Sequence, residues 1–176
     1  MSADPLAETR LWVERVVVGL GLCPFAAAPL RGGEVRFVLS EARTPSGIVD
    51  EILAELERLE GPEGPNTTLL VIPKLLRRLD EFLDLAAAIE DLIEQAGYEG
   101  FYQLASFHPD FRYGDALDDP ADEVGRSPYP TLHLLRWEEV RRASETHPDV
   151  EGIPARNARL LRSLGAAGVR RAREGA

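Results

Sequence analysis

Hydrophobic positions recur along the chain with the spacing of amphipathic helices, and short β-rich runs separate them. The spacing predicts three long helices, of which the second begins at Thr44-Pro45, a pair typical of an N-cap and a first helical residue. Gly97 is typical of the residue that follows a helix C-terminus and ends the third. Shorter helices are predicted at 137–144 and 155–164. The three long stripes are Leu6, Val13, Val16, Val17 and Leu20, then Ile48, Ile52, Leu56 and Leu59, then Phe82, Leu85, Ala86, Ile89, Leu92 and Ile93.

Four β-rich runs alternate with these helices. The run at 67–72 is continuously apolar and rich in β-branched residues, as in a strand buried on both faces, whereas the run at 34–40 alternates. Two more runs lie at 100–107 and 131–136. Strand-helix-strand units of this length favour right-handed parallel connections, so the first three strands are expected to be parallel. The predicted fold class is α/β, a layered sandwich with a mostly parallel sheet of about four strands flanked by helices.

Composition limits the class of protein. The chain has 176 residues, of which 44% are apolar, and this fits a single α/β domain over 1–176. A net charge of −10 disfavours binding to phosphate backbones, so no nucleic acid is expected as a partner. No run of about 18 or more uncharged apolar residues occurs, and charged residues surround the apolar positions near the N-terminus, so neither a membrane span nor a signal peptide is predicted. A cytoplasmic location without membrane contact is therefore expected, and a lone cysteine agrees with a reducing compartment.

The region from residue 156 onward is basic, although the chain as a whole is acidic. Its only acid is Glu174, against the arginines Arg156, Arg159, Arg162, Arg170, Arg171 and Arg173. Such a run is usually a solvated helix face that pairs with acidic neighbours. The alternative is a docking surface, which would make the protein a regulatory protein-interaction module.

The long irregular segment 107–130 and two histidines near it are candidates for a site. Loops of this length in compact domains are usually functional or disordered. His108 lies at the carboxyl end of the third predicted strand, where parallel sheets bind ligands; the alternative is a histidine that hydrogen-bonds loop backbone. His133 lies on the strand face opposite Leu132 and Leu134, as a site residue or as a satisfied buried histidine. The apolar residues that favour an ordered loop are Phe107, Phe111, Tyr113, Val124 and Tyr129.

Cys23 and Arg126 are the other candidates for chemistry. Cys23 follows the first predicted helix, and the partial negative charge of a helix C-terminus raises the pKa of a thiol. Cys23 can therefore act as a nucleophile only beside a histidine. Otherwise it is a ligand or a buried core residue. Arg126 enters the fourth strand through a rigid stretch with Ser127 and Tyr129, and suits capture of a carboxylate or phosphate. The alternative is a salt bridge to one of Asp115, Asp118, Asp119, Asp122 and Glu123.

Three segments together resemble a bacterial family of uncharacterised proteins, the domain-of-unknown-function family numbered 1415. The segments are 19–26, 103–109 and 126–136, and Arg156-Asn157 matches as well. The family has about this length, so the resemblance covers nearly the whole chain. Where the family commonly has asparagine, this chain has Gly21 and Gly125. The resemblance implies that the motif residues Cys23, His108, Arg126, His133 and Arg156 form one site. We predict that the first four of these side chains line or border one concave pocket, with His108 nearest its centre.

These residues support three hypotheses. The leading one is an enzyme or enzyme-like protein that binds a small anionic metabolite, with His108, His133 and Cys23 as catalytic groups. Its substrate-binding residues would be Arg126, Ser127, Tyr129 and Arg156. The second is a non-catalytic haem- or transition-metal-binding protein in which Cys23, His108 and His133 are the candidate ligands; the pair Cys23-Pro24 resembles the short haem-regulatory motif. The third is the interaction module. No cofactor motif in the sequence names a reaction.

Overall fold

Helices and strands alternate in the order that the sequence predicts. The computed structural model describes residues 4–61, 64–114 and 118–175, so Asp115, one candidate partner of Arg126, lies outside the described residues. The helices are α1 Pro5–Trp12, α2 Ala27–Gly32, α3 Pro45–Glu60, α4 Leu79–Gln95, α5 Trp137–Thr146 and α6 Ile153–Glu174. The strands are β1 Val35–Leu39, β2 Thr67–Val71, β3 Tyr102–Phe107 and β4 Thr131–Arg136. A π-helix at Val13–Val18 continues α1, and a 3₁₀-helix at Pro120–Val124 lies in the long loop.

The four strands form one mixed sheet in the order β1-β2-β4-β3. β1 and β2 pair in parallel, whereas β4 is antiparallel to both of its neighbours, β2 and β3. β1, β2 and β3 therefore run in one direction, but β4 lies between β2 and β3. The prediction of a mostly parallel sheet is wrong, because the described residues of the connection from β3 to β4 form a short 3₁₀-helix but no crossover α-helix. Without such a crossover the chain turns back and pairs antiparallel.

Helices cover both faces of the sheet, and each face has its own apolar cluster. On one face, here the α3/α4 face, Phe82 packs in a cluster with Leu70. On the other, the α1/α6 face, Trp12 and Leu161 pack in a cluster with Leu69. Leu69 and Leu70 are consecutive residues of β2 and enter different clusters, because side chains alternate between the faces of a strand. The same alternation decides on which face each histidine lies.

Three local features differ from the predicted elements. The first predicted helix is α-helical only as far as Trp12 and continues as the π-helix, at whose end the amide of Gly19 donates to the carbonyl of Glu14 at 3.0 Å, five residues back. α2 was not predicted, because its six residues are too few to display a helical stripe. α6 is longer than predicted and is broken at Gly165, where φ is 63° and ψ is 172°, a conformation that glycine adopts without a steric penalty. None of the described helices is both long and apolar enough to cross a membrane.

Candidate ligand cavity

A cavity of about 280 Å³ lies between the α1/α6 face of the sheet and the segment that carries Cys23. Its walls come from the π-helix, residues 22–29 and the sheet, and they are mostly apolar. The polar side chains in the lining belong to Cys23, His133, Thr67 and Gln103, and Trp12 adds an indole N–H that is buried without a hydrogen-bond partner in the described structure. Within the described part of the chain, the lining contains no aspartate, glutamate, lysine or arginine. The cavity therefore suits a small molecule that is mostly apolar.

The register of the sheet explains why there is empty space at this place. His133 of β4 lies directly between Ala105 of β3 and Leu69 of β2, and all three side chains line the cavity. Because Ala105 is small, it leaves the imidazole uncovered on one side. The first strand residues Val35 and Thr67 also contribute, so the cavity extends toward the amino ends of β1 and β2. The cavity therefore differs from the predicted site at the carboxyl ends of the strands.

The loop after the π-helix holds Cys23 at the edge of the cavity. The amides of Leu22 and Cys23 both donate to the carbonyl of Val17, at 2.9 and 3.3 Å. On α6, the side-chain amide of Asn157 donates to the carbonyl of Leu22 at 2.6 Å, and the guanidinium of Arg156 donates to the carbonyl of Gly21. Arg156, predicted to bind substrate, therefore fixes the backbone next to Cys23 and is not part of the cavity lining.

Two glycines stand where the resemblance leads one to expect asparagine, and the structure gives each a physical reason. Gly21 has φ of 65°, in the left-handed region that glycine and asparagine occupy more readily than other residues. Gly125 is different, because a Cβ there would lie 2.8 Å from the ring of Phe111. A side chain at 125 therefore requires Phe111 to move, and in this chain no amide can act at that position.

His133 is an uncharged imidazole in the cavity floor. Its Nε2 lies 2.5 Å from the hydroxyl of Thr67, and that hydroxyl donates to the carbonyl of Leu134 at 2.7 Å. Burial lowers the pKa of His133 from 6.5 to about 4, because the charged imidazolium would lose its hydration. At neutral pH the ring is therefore neutral, and it can exchange hydrogen bonds but supplies no charge.

Cys23 is a protonated thiol under the same conditions. Burial raises the pKa of the Cys23 thiol, and the nearby backbone amides of Phe25 and Ala26 oppose the rise only in part. In the described structure His133 hydrogen-bonds to Thr67 and no hydrogen bond joins it to Cys23, so the two side chains line one cavity without forming a hydrogen-bonded dyad. The sulfur therefore lacks the adjacent base that an activated nucleophile requires.

His108 lies on the other face of the sheet. It is fully buried, its ring packs against Phe82 with centroids 5.3 Å apart, and its Nε2 lies 3.0 Å from the carbonyl of Leu76. Its Nδ1 accepts from the amide of Asp110 at 3.0 Å, so both ring nitrogens are satisfied. The prediction that His108 lies nearest the centre of a shared pocket is wrong. The alternative interpretation, a histidine that hydrogen-bonds loop backbone, describes what the structure contains, and Leu76 is held at a φ of 57° beneath it.

Arg126 is occupied by internal partners. Its guanidinium donates to the carbonyl of Phe111 at 3.1 Å and pairs with Asp122 at 3.3 Å and with Glu123 at 3.2 Å. Arg173 of the basic region also pairs with Glu123, at 3.0 Å. The alternative interpretation, a structural salt bridge, therefore fits Arg126, and the shared pocket of four residues is reduced to Cys23 and His133.

The two other residues predicted to bind substrate also have structural partners. The hydroxyl of Ser127 donates to the carbonyl of Tyr129, which closes the turn before β4. The phenol of Tyr129 donates to the carboxylate of Glu8 on α1, and this bond raises the pKa of Tyr129 to about 12. Both side chains lie outside the cavity lining. They secure the long loop against the first helix.

The candidate metal ligands Cys23, His108 and His133 do not come together, because His108 is on the opposite face of the sheet. Nowhere in residues 4–61, 64–114 and 118–175 do three or more histidine, cysteine, aspartate or glutamate side chains gather as a metal site would require. Cys23 and His133 therefore remain a pair, and a metal held by them would need further ligands of other kinds.

Sequence reasoning missed two residues that shape the cavity, Thr67 and Ala105. Thr67 was visible as a polar residue at the start of an otherwise apolar strand, and Ala105 as a small residue at an inward position of β3. Neither position is informative alone, because each acquires its role from its position next to His133. Spacing along the sequence does not show that these residues are neighbours in the sheet. Knowledge of the β2-β4-β3 order would have identified both.

Comparisons with known proteins agree with the resemblance that the motifs indicate. No curated protein matches the chain, and no solved structure matches its fold. A family model described as a protein of unknown function (DUF1415) matches residues 4–171, which is nearly the whole chain. The motif around Cys23, the motif that forms β4, and the pair Arg156-Asn157 that anchors the Cys23 segment to α6 all lie within the matched range. The chain belongs to this family of proteins of unknown function, DUF1415.

Proposed function

We propose that this protein binds a small, mostly apolar molecule in the cavity between the sheet and the Cys23 segment. The observation that carries the proposal is an apolar lining with two uncharged functional side chains, Cys23 and His133, and no ionised side chain in the described lining. The volume of about 280 Å³ lies just below the range of roughly 300–1,000 Å³ that drug-sized ligands occupy. The ligand is therefore expected to be smaller than a drug molecule, with one or two fused rings as an upper size.

The leading sequence hypothesis, an anionic metabolite, has little support at this site. An anion in an apolar cavity loses its hydration, and this cost is tolerated only where a cation or several donors replace the water. Arg126 and Arg156, the predicted anion-binding residues, are engaged with Asp122, Glu123 and Gly21 and lie outside the cavity lining. An uncharged ligand is therefore the better match to these walls.

Filling the cavity tests the proposal directly. Ala105→Leu adds three carbon atoms beside His133, and it should abolish binding of 2-naphthol, an uncharged two-ring probe whose fluorescence reports its surroundings. The melting temperature should stay level or rise, because filling a cavity commonly stabilises a protein by about 0.5–2 kcal/mol. Ala87→Leu, the same change at an exposed position of α4 on the other face, is the matched control and should leave binding unchanged. Equal binding of 2-naphthol by both variants, or no binding by the parent protein, contradicts the proposal.

A second candidate, binding of a thiophilic metal ion, draws on the same pair of side chains. A thiol and an imidazole facing one cavity are ligands of the kind that soft metals prefer. Haem is less suited, because its macrocycle is larger than a drug-sized ligand. Even drug-sized ligands usually occupy pockets larger than this cavity. Metal analysis and an absorption spectrum of the purified protein distinguish these roles: stoichiometric metal supports the metal site, a Soret band supports haem, and Cys23→Ser should remove either signal.

A further inference from the structure

The hydrogen-bonding direction of Thr67 fixes the position of the proton on His133. A hydroxyl has one proton, and the hydroxyl of Thr67 uses it to donate to the buried carbonyl of Leu134 at 2.7 Å. Toward Nε2 of His133, 2.5 Å away, the same oxygen can then only accept. This arrangement favours a hydrogen on Nε2, which is the Nε2–H tautomer of His133.

A neutral imidazole holds only one ring proton, so Nδ1 of His133 has a free lone pair. No side chain or backbone group of residues 4–61, 64–114 and 118–175 hydrogen-bonds to Nδ1. Nδ1 is not fully enclosed by protein atoms and keeps accessible surface. The imidazole ring itself lines the cavity. Nδ1 is thus an acceptor that faces the cavity.

The surroundings leave this acceptor for a ligand to satisfy. Leu69 and Ala105 flank the ring in the sheet, and the ring of Phe107 lies beyond it with centroids 6.3 Å apart. None of these side chains can donate a hydrogen bond. A ligand that brings its own O–H or N–H group to Nδ1 gains a bond, whereas a ligand with only acceptors leaves Nδ1 unsatisfied, even where it accepts from the unpartnered indole N–H of Trp12.

We propose that the ligand is an uncharged, mostly apolar molecule that donates one hydrogen bond to Nδ1 of His133, and that Thr67 is the positioning residue that imposes this requirement. Phenols, indoles and other N–H heterocycles belong to this class. Ethers, esters and thioethers of the same skeleton do not. The inference rests on the proposed function, since it specifies the ligand of the same cavity, and it requires the ring to remain neutral. Burial, which lowers the pKa of His133 to about 4, keeps it neutral at physiological pH.

The first test observes the tautomer without any ligand. In protein with ¹⁵N-labelled histidine, the ring nitrogens of His133 should show the Nε2–H pattern at neutral pH. Thr67→Val removes the acceptor for Nε2, and the pattern should shift toward a mixture of tautomers or toward Nδ1–H. Thr67→Ser retains the hydroxyl and should restore the parent pattern, which a merely structural loss at this position would not do. An Nδ1–H tautomer in the parent protein overturns the inference.

The second test compares two probes with one skeleton, 2-naphthol, which donates, and 2-methoxynaphthalene, which does not. In the parent protein and in Thr67→Ser, 2-naphthol should bind about 2- to 12-fold more tightly, the factor that corresponds to one net neutral hydrogen bond. In Thr67→Val the preference should fall toward unity. If both probes bind the parent protein equally, the donor requirement is refuted while the cavity proposal survives. If neither probe binds, the proposed function itself is refuted.

Discussion

Replacing His133 with glutamine should remove an acid-sensitive part of the protein's stability. His133 has a pKa of about 4 in the folded protein and 6.5 when solvated, so the unfolded chain binds its proton more readily between these values. The stabilisation is therefore fully present above pH 6.5 and is lost as the pH falls toward 4. At about 1.36 kcal/mol per pKa unit, the full difference corresponds to about 3 kcal/mol, of which about 2 kcal/mol is lost at pH 5.

Urea unfolding at pH 7.5 and pH 5.0 measures this difference. The parent protein should lose about 2 kcal/mol more than His133→Gln between the two pH values, since glutamine does not titrate. His108 and His147 are present in both proteins, so their contributions cancel in the comparison. If the two proteins lose stability in parallel, the imidazole titrates in the folded state as it does in solution. The proposed ligand class requires a neutral imidazole at His133, and this requirement would then not be met.

Two other predictions address the groups inside and outside the cavity. Cys23 is the single cysteine of the chain, and burial raises the pKa of its thiol. Iodoacetamide should therefore alkylate Cys23 more slowly at pH 7.5 than it alkylates glutathione. Bound 2-naphthol should slow the alkylation of Cys23 further. An alkylation rate equal to that of glutathione would contradict the buried thiol. Arg126→Met should lower the free energy of unfolding by roughly 3 kcal/mol, because it leaves the buried carboxylate of Asp122 without its partner, yet should not change probe affinity. Arg159→Met, an exposed arginine on α6, is the control and should change stability by less than about 0.5 kcal/mol.

Most elements of the fold could be predicted from hydrophobic spacing, but the position of β4 could not. The stripes of α3 and α4 and the apolar run of β2 follow from local sequence, because each element displays its own period. Strand order depends on which edges meet after the chain turns, and residues 107–130 carry no period that indicates their path. The lack of a helical period in that segment is the sequence signal for an antiparallel return, and it conflicts with the two strand-helix-strand units that precede it.

The candidate site was predictable in its members but not in its grouping. Cys23 and His133 were both identified as candidates, yet so was His108, which sequence position favoured as the end of a strand. The face on which each histidine lies follows from strand alternation, but the identity of the helical layer over each face does not. Arg126 illustrates a second limit, because a guanidinium suited to an anion is equally suited to the carboxylates of Asp122 and Glu123 in its own loop.

The bonds from Asn157 and Arg156 to the carbonyls of Leu22 and Gly21 join positions 135 residues apart. The apolar cluster on the α3/α4 face draws its buried members from residues 48–134, so it can form while α6 is still being synthesised. The Cys23 segment acquires these two bonds only when α6 is in place, so its backbone is completed by the last helix of the chain. A small molecule in the cavity contacts the Cys23 segment and the sheet but no described residue of α6. Such a ligand would therefore stabilise the segment independently of the bonds from α6.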